Sequence, residues 1–158
     1  MKHLISLIAT LLFVNTLIAQ CICEKIKRDD GATITMCPSL PVASDKTTEI
    51  GLAAASNGGE SFLTITIRFN NVAINVKSKI TIRLVDNNLF SLELINSGLS
   101  YIGNSQVTQA VFSLTESNVE LLKKSNLKTI SFTLEDNLLH VYKIIANSDI
   151  IKKQLFCL

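Results

Sequence analysis

Apolar and polar residues alternate with a period of two in four parts of the chain. Leu63, Ile65, Ile67 and Phe69 take one face against Thr64, Thr66 and Arg68, and Ile80, Ile82 and Leu84 take one against Thr81 and Arg83. Phe90, Leu92 and Leu94 alternate with Ser91 and Glu93, and Ile130, Phe132 and Leu134 with Ser131, Thr133 and Glu135. Such alternation marks strands with one buried face. Thr47 to Ala55, Val107 to Leu114 and Leu138 to Ile144 are apolar and β-branched enough to be strands, and Val72 to Val76 carries a short alternation inside a polar join. Cys21 to Cys37 reads as a further hairpin with Ile22, Ile26, Ile34 and Met36 as its apolar positions.

The joins are turn chemistry. Asn57-Gly58 is the strongest short hairpin signal, Asp86-Asn87-Asn88 and Asp136-Asn137 are turns, and Asp29-Asp30-Gly31 suits a three-residue loop with Gly31 left-handed. Pro38 to Asp45 holds both prolines and reads as a connector that cannot lie inside a sheet. Ser97 to Gln109 has neither a strand nor a helix period and reads as a polar loop. Helical signals come late. Ser117-x-x-Glu120 offers a capping box for a helix over Asn118 to Lys124. Asn147 or Ser148 would cap a closing helix with Ile150, Ile151, Leu155 and Phe156 on one side. Offset by fifty positions, Ile80 to Leu94 matches Ile130 to Ile144 at the first isoleucine and at the Leu, Asp and Asn of the turn. A duplication would produce this likeness, but two hairpins of one length need the same turn residues anyway, and that plainer reading is preferred.

This pattern predicts a mostly β fold, an antiparallel two-layer β-sandwich-like domain with two short helices in the C-terminal third, one of them covering an open end or edge. The alternative is an α+β arrangement, one curved antiparallel sheet with helices on a face. Composition changes the picture at the amino terminus. Met1-Lys2-His3 and the apolar run Leu4 to Ala19 form a signal peptide, too short for a bilayer span and ending on a small residue. Residues 20–158 are then one β-rich domain. Lipidation of Cys21 is the other anchoring possibility, disfavoured because Gln20 stands where that processing wants a small residue. Loss of Lys2 leaves 14 bases against 13 acids, so no attraction to nucleic acid or an anionic membrane is expected. The membrane is involved only through the leader or a lipidated Cys21. The expected location is secreted or periplasmic.

The four cysteines, Cys21, Cys23, Cys37 and Cys157, follow the leader, where thiols tend to be oxidised. With Gly31 left-handed, Arg28 faces Ala32 and Cys23 falls opposite Cys37, which leaves Cys21 for Cys157. The rival pairing joins Cys23 or Cys37 to Cys157 and leaves Cys21 free. Cys-x-Cys is a poor zinc spacing, and no metal or other cofactor is expected.

Catalytic constellations fail one by one. A serine-type hydrolase would depend on His140, the one imidazole after the leader, and no Gly-x-Ser-x-Gly elbow exists. His140 reads as an ordinary strand histidine. Glu93, Glu120, Glu135 and Asp136 could supply a carboxylate pair, but strand, cap and turn roles account for Glu93, Glu120 and Asp136. Asp86-Asn87-Asn88 lacks the spaced oxygen ligands of a calcium loop. Phe62, Phe69, Phe90, Phe112 and Phe132 fall in strands, where core packing is the default. The best patch for an uncharged partner is Tyr101 with Asn104, Ser105 and Gln106, although packing of the tyrosine onto the sheet is the plainer reading.

Thr115 to Phe132 and Asp149 to Leu158 resemble stretches of small uncharacterised exported proteins of Bacteroidetes-type bacteria. The resemblance implies a place outside the cytoplasm and no activity. The sequence therefore points to an exported, non-catalytic binding or structural protein of the cell envelope or exterior, with a protein or glycan partner. The alternatives are a small envelope hydrolase and an inhibitor or immunity-type protein that binds another protein.

Overall fold

The computed structural model describes residues 22–27, 29 and 31–158. The leader and Cys21 lie outside them. Among the described residues eleven strands and two helices follow one another: β1 (Glu24–Lys27), β2 (Thr33–Met36), β3 (Leu40–Ser44), β4 (Thr48–Asn57), β5 (Glu60–Phe69), β6 (Val76–Leu84), β7 (Leu89–Leu92), β8 (Leu94–Ile102), β9 (Ser105–Leu114), α1 (Glu116–Lys124), β10 (Leu127–Leu134), β11 (Leu139–Lys143) and α2 (Ile150–Leu155). A large, strongly curled sheet runs β1-β2-β4-β5-β9-β8, with β3 also paired to β4, and a small sheet runs β11-β10-β6-β7. Every pairing is antiparallel. The two-layer, sandwich-like reading holds.

The alternating residues face each other across the layers. Ile50, Leu52, Leu63, Ile65, Ile67 and Phe112 from the large sheet meet Ile80, Ile82, Leu84, Leu92, Ile130 and Phe132 from the small one, all at most 1% exposed. Burying one such side chain is worth about 1.5–3 kcal/mol, so this interlayer seam dominates the fold. Phe62, Phe69 and Phe90 are only half-buried.

Both sheets repeat one plan. β5 and β9 sit at the middle of the large sheet, with Ile65 opposite Ala110, and each carries its hairpin partner, β4 or β8, on its far side. β6 and β10 sit at the middle of the small sheet, with Thr81 opposite Ser131, and carry β7 and β11 in the same way. The fifty-residue likeness therefore runs between two hairpins in equivalent positions, Ile80 pairing with Leu92 as Ile130 pairs with Tyr142. Their turns match too. Asn87 and Asn137 are both left-handed, and each turn offers its asparagine oxygen to a lysine of the opposite hairpin, Asn87 to Lys128 and Asn137 to Lys77.

Several boundaries differ from expectation for identifiable reasons. Ser97 to Gln109 is no loop but the hairpin of β8 and β9, turned at Gly103-Asn104 with Gly103 at φ +59°, as a two-residue turn of the II′ kind requires. The strand period was hidden because small and polar residues occupy both faces there. β7 ends at Leu92, and at Glu93 the chain changes sheets, so the expected strand through Leu94 is two strands. The first long hairpin turns on Gly58-Gly59, both with positive φ, one residue beyond Asn57-Gly58. Val72 to Val76 is a join that reaches a strand only at Val76. Leu40–Ser44, expected as connector, is an edge strand, where Pro41 is tolerated beside a bulge.

The helices are capped otherwise than expected. Thr115, not Ser117, caps α1: its hydroxyl accepts from the Asn118 amide at 3.3 Å, and Asn118 Oδ1 accepts from the Thr115 amide at 3.1 Å. The asparagine replaces the glutamate of the expected box. Asp149 caps α2 without a side-chain capping hydrogen bond, its carboxylate pairing instead with Lys153 at 2.7 Å, and Phe156 is 67% exposed while Ile150, Ile151 and Leu155 enter the core. Gln154 gives α2 its purpose. β2 pairs with one end of β4 and β3 with the other, and in the gap the buried Gln154 accepts from the Ala54 amide at 2.7 Å and donates to the Pro38 carbonyl at 2.8 Å. A helix side chain thus completes an interrupted ladder and closes that edge of the sandwich.

Cys23 and Cys37 form a disulfide, as the hairpin register predicts. Gly31 has φ +85° as expected, while Arg28 lies outside the described residues. The apolar side chains of this hairpin do not enter the core: Ile26 is 46% and Met36 43% exposed. The expected Cys21–Cys157 bridge falls on Cys21, outside the described residues, and Cys157 is not a free thiol.

Candidate functional site

A groove of about 710 Å³ lies where the β4–β5 turn, the start of β8 and the first turn of α1 converge. Three local features build it. Phe62 and Ser113, paired across β5 and β9, both face away from the small sheet and form its floor. A bulge between Leu94 and Asn96 leaves Ile95 without a partner and turns it out at the rim, 55% exposed. The cap at Thr115 starts α1 directly after β9, which sets Val119, Glu116 and Glu120 along the opposite wall, with Glu60 at the turn. The groove thus combines apolar side chains, Phe62, Ile95 and Val119, with three carboxylates on its rim, and no lysine or arginine is among its described lining residues. Sequence reasoning missed it because bulge and cap are what aim Ile95 and Glu116. The free polarity of Glu60 and Glu116 was the one available signal.

Tyr101, Asn104 and Gln106 do come together, at the far end of β8. Tyr101 lies opposite Gln106 in the register, Asn104 is in the turn, and Tyr101 is 70% exposed instead of packed down on the sheet. Ile95 and Tyr101 are six residues apart on one strand, or about 20 Å. Hairpin tip and groove are separate surfaces.

His140 stands on β11 with its Nε2 3.2 Å from Asp136 Oδ2. Its ring stacks with Phe132 and Tyr142, centroids 6.3 and 6.4 Å away. Asp45 lies near enough to feel its charge. Both acids are exposed and occupied by turn amides. The Leu138 amide, then His140, holds the Asp136 carboxyl below the usual carboxylate range. The Thr47 amide, with the Thr47 hydroxyl and the Thr48 amide, does the same for Asp45. Burial pushes the Tyr142 phenol up against a hydrogen bond with Thr48 that pulls it down. The cluster secures two turns of the neighbouring layers. Of the other acids, Glu120 pairs with Lys124 at 3.7 Å, and Glu93, between β7 and β8, and Glu135, in the turn after β10, are both exposed. Among the described residues no group of three His, Cys, Asp or Glu side chains is placed to hold a metal ion. Among them, too, no helix is long and apolar enough to cross a membrane.

No protein-family model, no curated protein and no solved structure matches the chain.

Proposed function

We propose that the chain is an exported, non-catalytic recognition domain of the bacterial cell envelope or exterior, delivered by cleavage of a leader at Ala19. The groove is the observation that carries the reading. Apolar side chains ringed by carboxylates suit a protein segment bearing both cationic and apolar side chains, since each kind of contact is available and no cation among the described lining residues opposes it. The Cys23–Cys37 disulfide supports an oxidising compartment. Protein partners are thereby favoured over glycans, and an inhibitor-type role falls within the same reading.

Calorimetry of the secreted protein against an amphipathic lysine-rich peptide and its glutamate-rich counterpart tests it. Binding of the basic peptide alone, weakened by salt and lost in Glu60→Lys with Glu116→Lys, is expected. Equal binding of both peptides, or of neither, overturns it. Amino-terminal sequencing of exported material, expected to begin at Gln20, checks the leader, and a lipid-sized mass increment on Cys21 would replace it with an anchor.

A second reading, a small envelope hydrolase, draws on His140 beside Asp136 with Asp45 near by. Turnover on ester, peptide or glycan substrates that disappears in His140→Ala would establish it against the first.

A further inference from the structure

We infer that the free edge of β8 takes a strand from a second copy of this chain, so that two large sheets join edge to edge through antiparallel β8 strands. The inference stands apart from the groove and its ligand. It begins with how sheet edges are protected. An unpaired edge invites another strand unless charge, proline, shortness or a distortion blunts it. β1 carries Glu24, Lys25 and Lys27, β3 carries Pro41 beside a bulge, β7 has four residues, and β11 has five that include His140 and Lys143. β8 has nine residues and neither proline nor charge. Between Glu93 and Glu116 the chain holds no charged residue at all. Its one distortion, at Ile95, lies at its start and leaves Asn96 to Ile102 in unbroken register with β9.

The molecule itself shows how this edge is used. β8 is the counterpart of β4 in the repeated plan, and the outer edge of β4 is covered, by β2 along Ala55–Asn57 and by β3 from Glu49 to Leu52. Only β9 pairs with β8 among the described residues. A second copy is the fitting occupant, since an uncharged strand turned antiparallel on itself sets no like charges opposite each other. Gly98 lies near the middle of the regular segment, and a Cβ there would meet nothing within 4 Å. No packing among the described residues requires that glycine, whereas close approach of another backbone is a common use for one in a strand. Leu99, Tyr101 and Ile102, each at least 43% exposed, add apolar contact beside the shared ladder.

The register identifies the groups involved. A two-residue turn makes Ile102 and Ser105 a hydrogen-bonded pair, and such pairs alternate, so the amides of Leu99 and Tyr101 point to the free edge. Sedimentation equilibrium of the disulfide-bonded protein over a wide concentration range is the test, with Leu99→Pro, which removes one edge amide, and Leu99→Lys, which charges the edge. A wild-type dimer, monomeric variants with unchanged circular dichroism, and slower exchange of the Leu99 and Tyr101 amides at high concentration are expected. If Leu99→Pro fails to fold, Leu99→Lys and the exchange data decide. A monomer at every concentration, a dimer that survives both substitutions, or a monomer that accepts only a foreign extended peptide overturns the inference. None of these results bears on the lysine-rich peptide, so the two readings fail separately.

Discussion

Gln154 and the two turn asparagines show how single side chains set the backbone. Gln154 is 5% exposed and satisfies one amide and one carbonyl left open where β2 and β3 part along β4. Its replacement in Gln154→Ala leaves both groups buried and unpaired, so the expected cost is about 1–3 kcal/mol, measured by urea denaturation. Asn87 and Asn137 have φ of 70° and 64°, a region that asparagine visits and alanine resists by roughly 1–2 kcal/mol. Asn87→Ala and Asn137→Ala should therefore destabilise by similar amounts, and unequal costs in the same denaturation experiment would show that the matching turns are not equivalent. These asparagines were legible in the sequence because turn residues announce themselves. Gln154 was not: a polar residue in a short amphipathic helix reads as solvent-facing, and only the break in a ladder a hundred positions earlier gives it a buried role.

At the scale of elements, periodicity identified strands wherever one face is apolar and the other wet, as in β5, β6 and β10. It failed in β8, where serine, glycine and asparagine share the strand with its apolar residues and the inner face runs past the small sheet. The first hairpin was legible as a hairpin, but its apolar positions do not reach the core. That hairpin is held by its register, its ladder to β4 and the Cys23–Cys37 bond. A loop of this size contributes about 3 kcal/mol in the chain-entropy model. Reduction should lower the melting temperature and speed hydrogen exchange of the β1 and β2 amides before those of β5 and β9. An unchanged melting curve and exchange pattern in dithiothreitol would refute this. The groove was illegible for a related reason, since a bulge and a cap, neither of them periodic, create it.

For the molecule as a whole, acid sensitivity follows from the two turn carboxylates. Asp45 and Asp136 both titrate below the ordinary aspartate value in the folded state, so the folded form is favoured while they are ionised. The sign of the linkage is that this stability is present above the unfolded aspartate pKa and is lost as pH falls through the depressed folded values. Melting temperature should fall in that acid range, and Asp45→Asn should flatten the fall; a variant with an unaltered acid limb would refute the assignment. The overall sandwich was legible, because alternating strands and late helices leave few other ways to bury one face. The order of the strands was not. Turn chemistry explains why two hairpins look alike, but it does not explain why both sheets place their counterparts symmetrically about β5–β9 and β6–β10.

That shared plan has a consequence for how the chain matures. The central neighbours in each sheet are separated by some forty to fifty positions, Ile65 beside Ala110 and Thr81 beside Ser131. A nascent or emerging chain that ends after β7 would hold the β1 to β5 part of the large sheet and, of the small sheet, the β6–β7 hairpin alone, a two-stranded ribbon too small to persist in water by itself. Assembly must wait for the second half and then proceed in one slow, concerted step, as long-range pairing dictates. Whatever handles the polypeptide before that moment receives it with the greasy face of its larger sheet still uncovered.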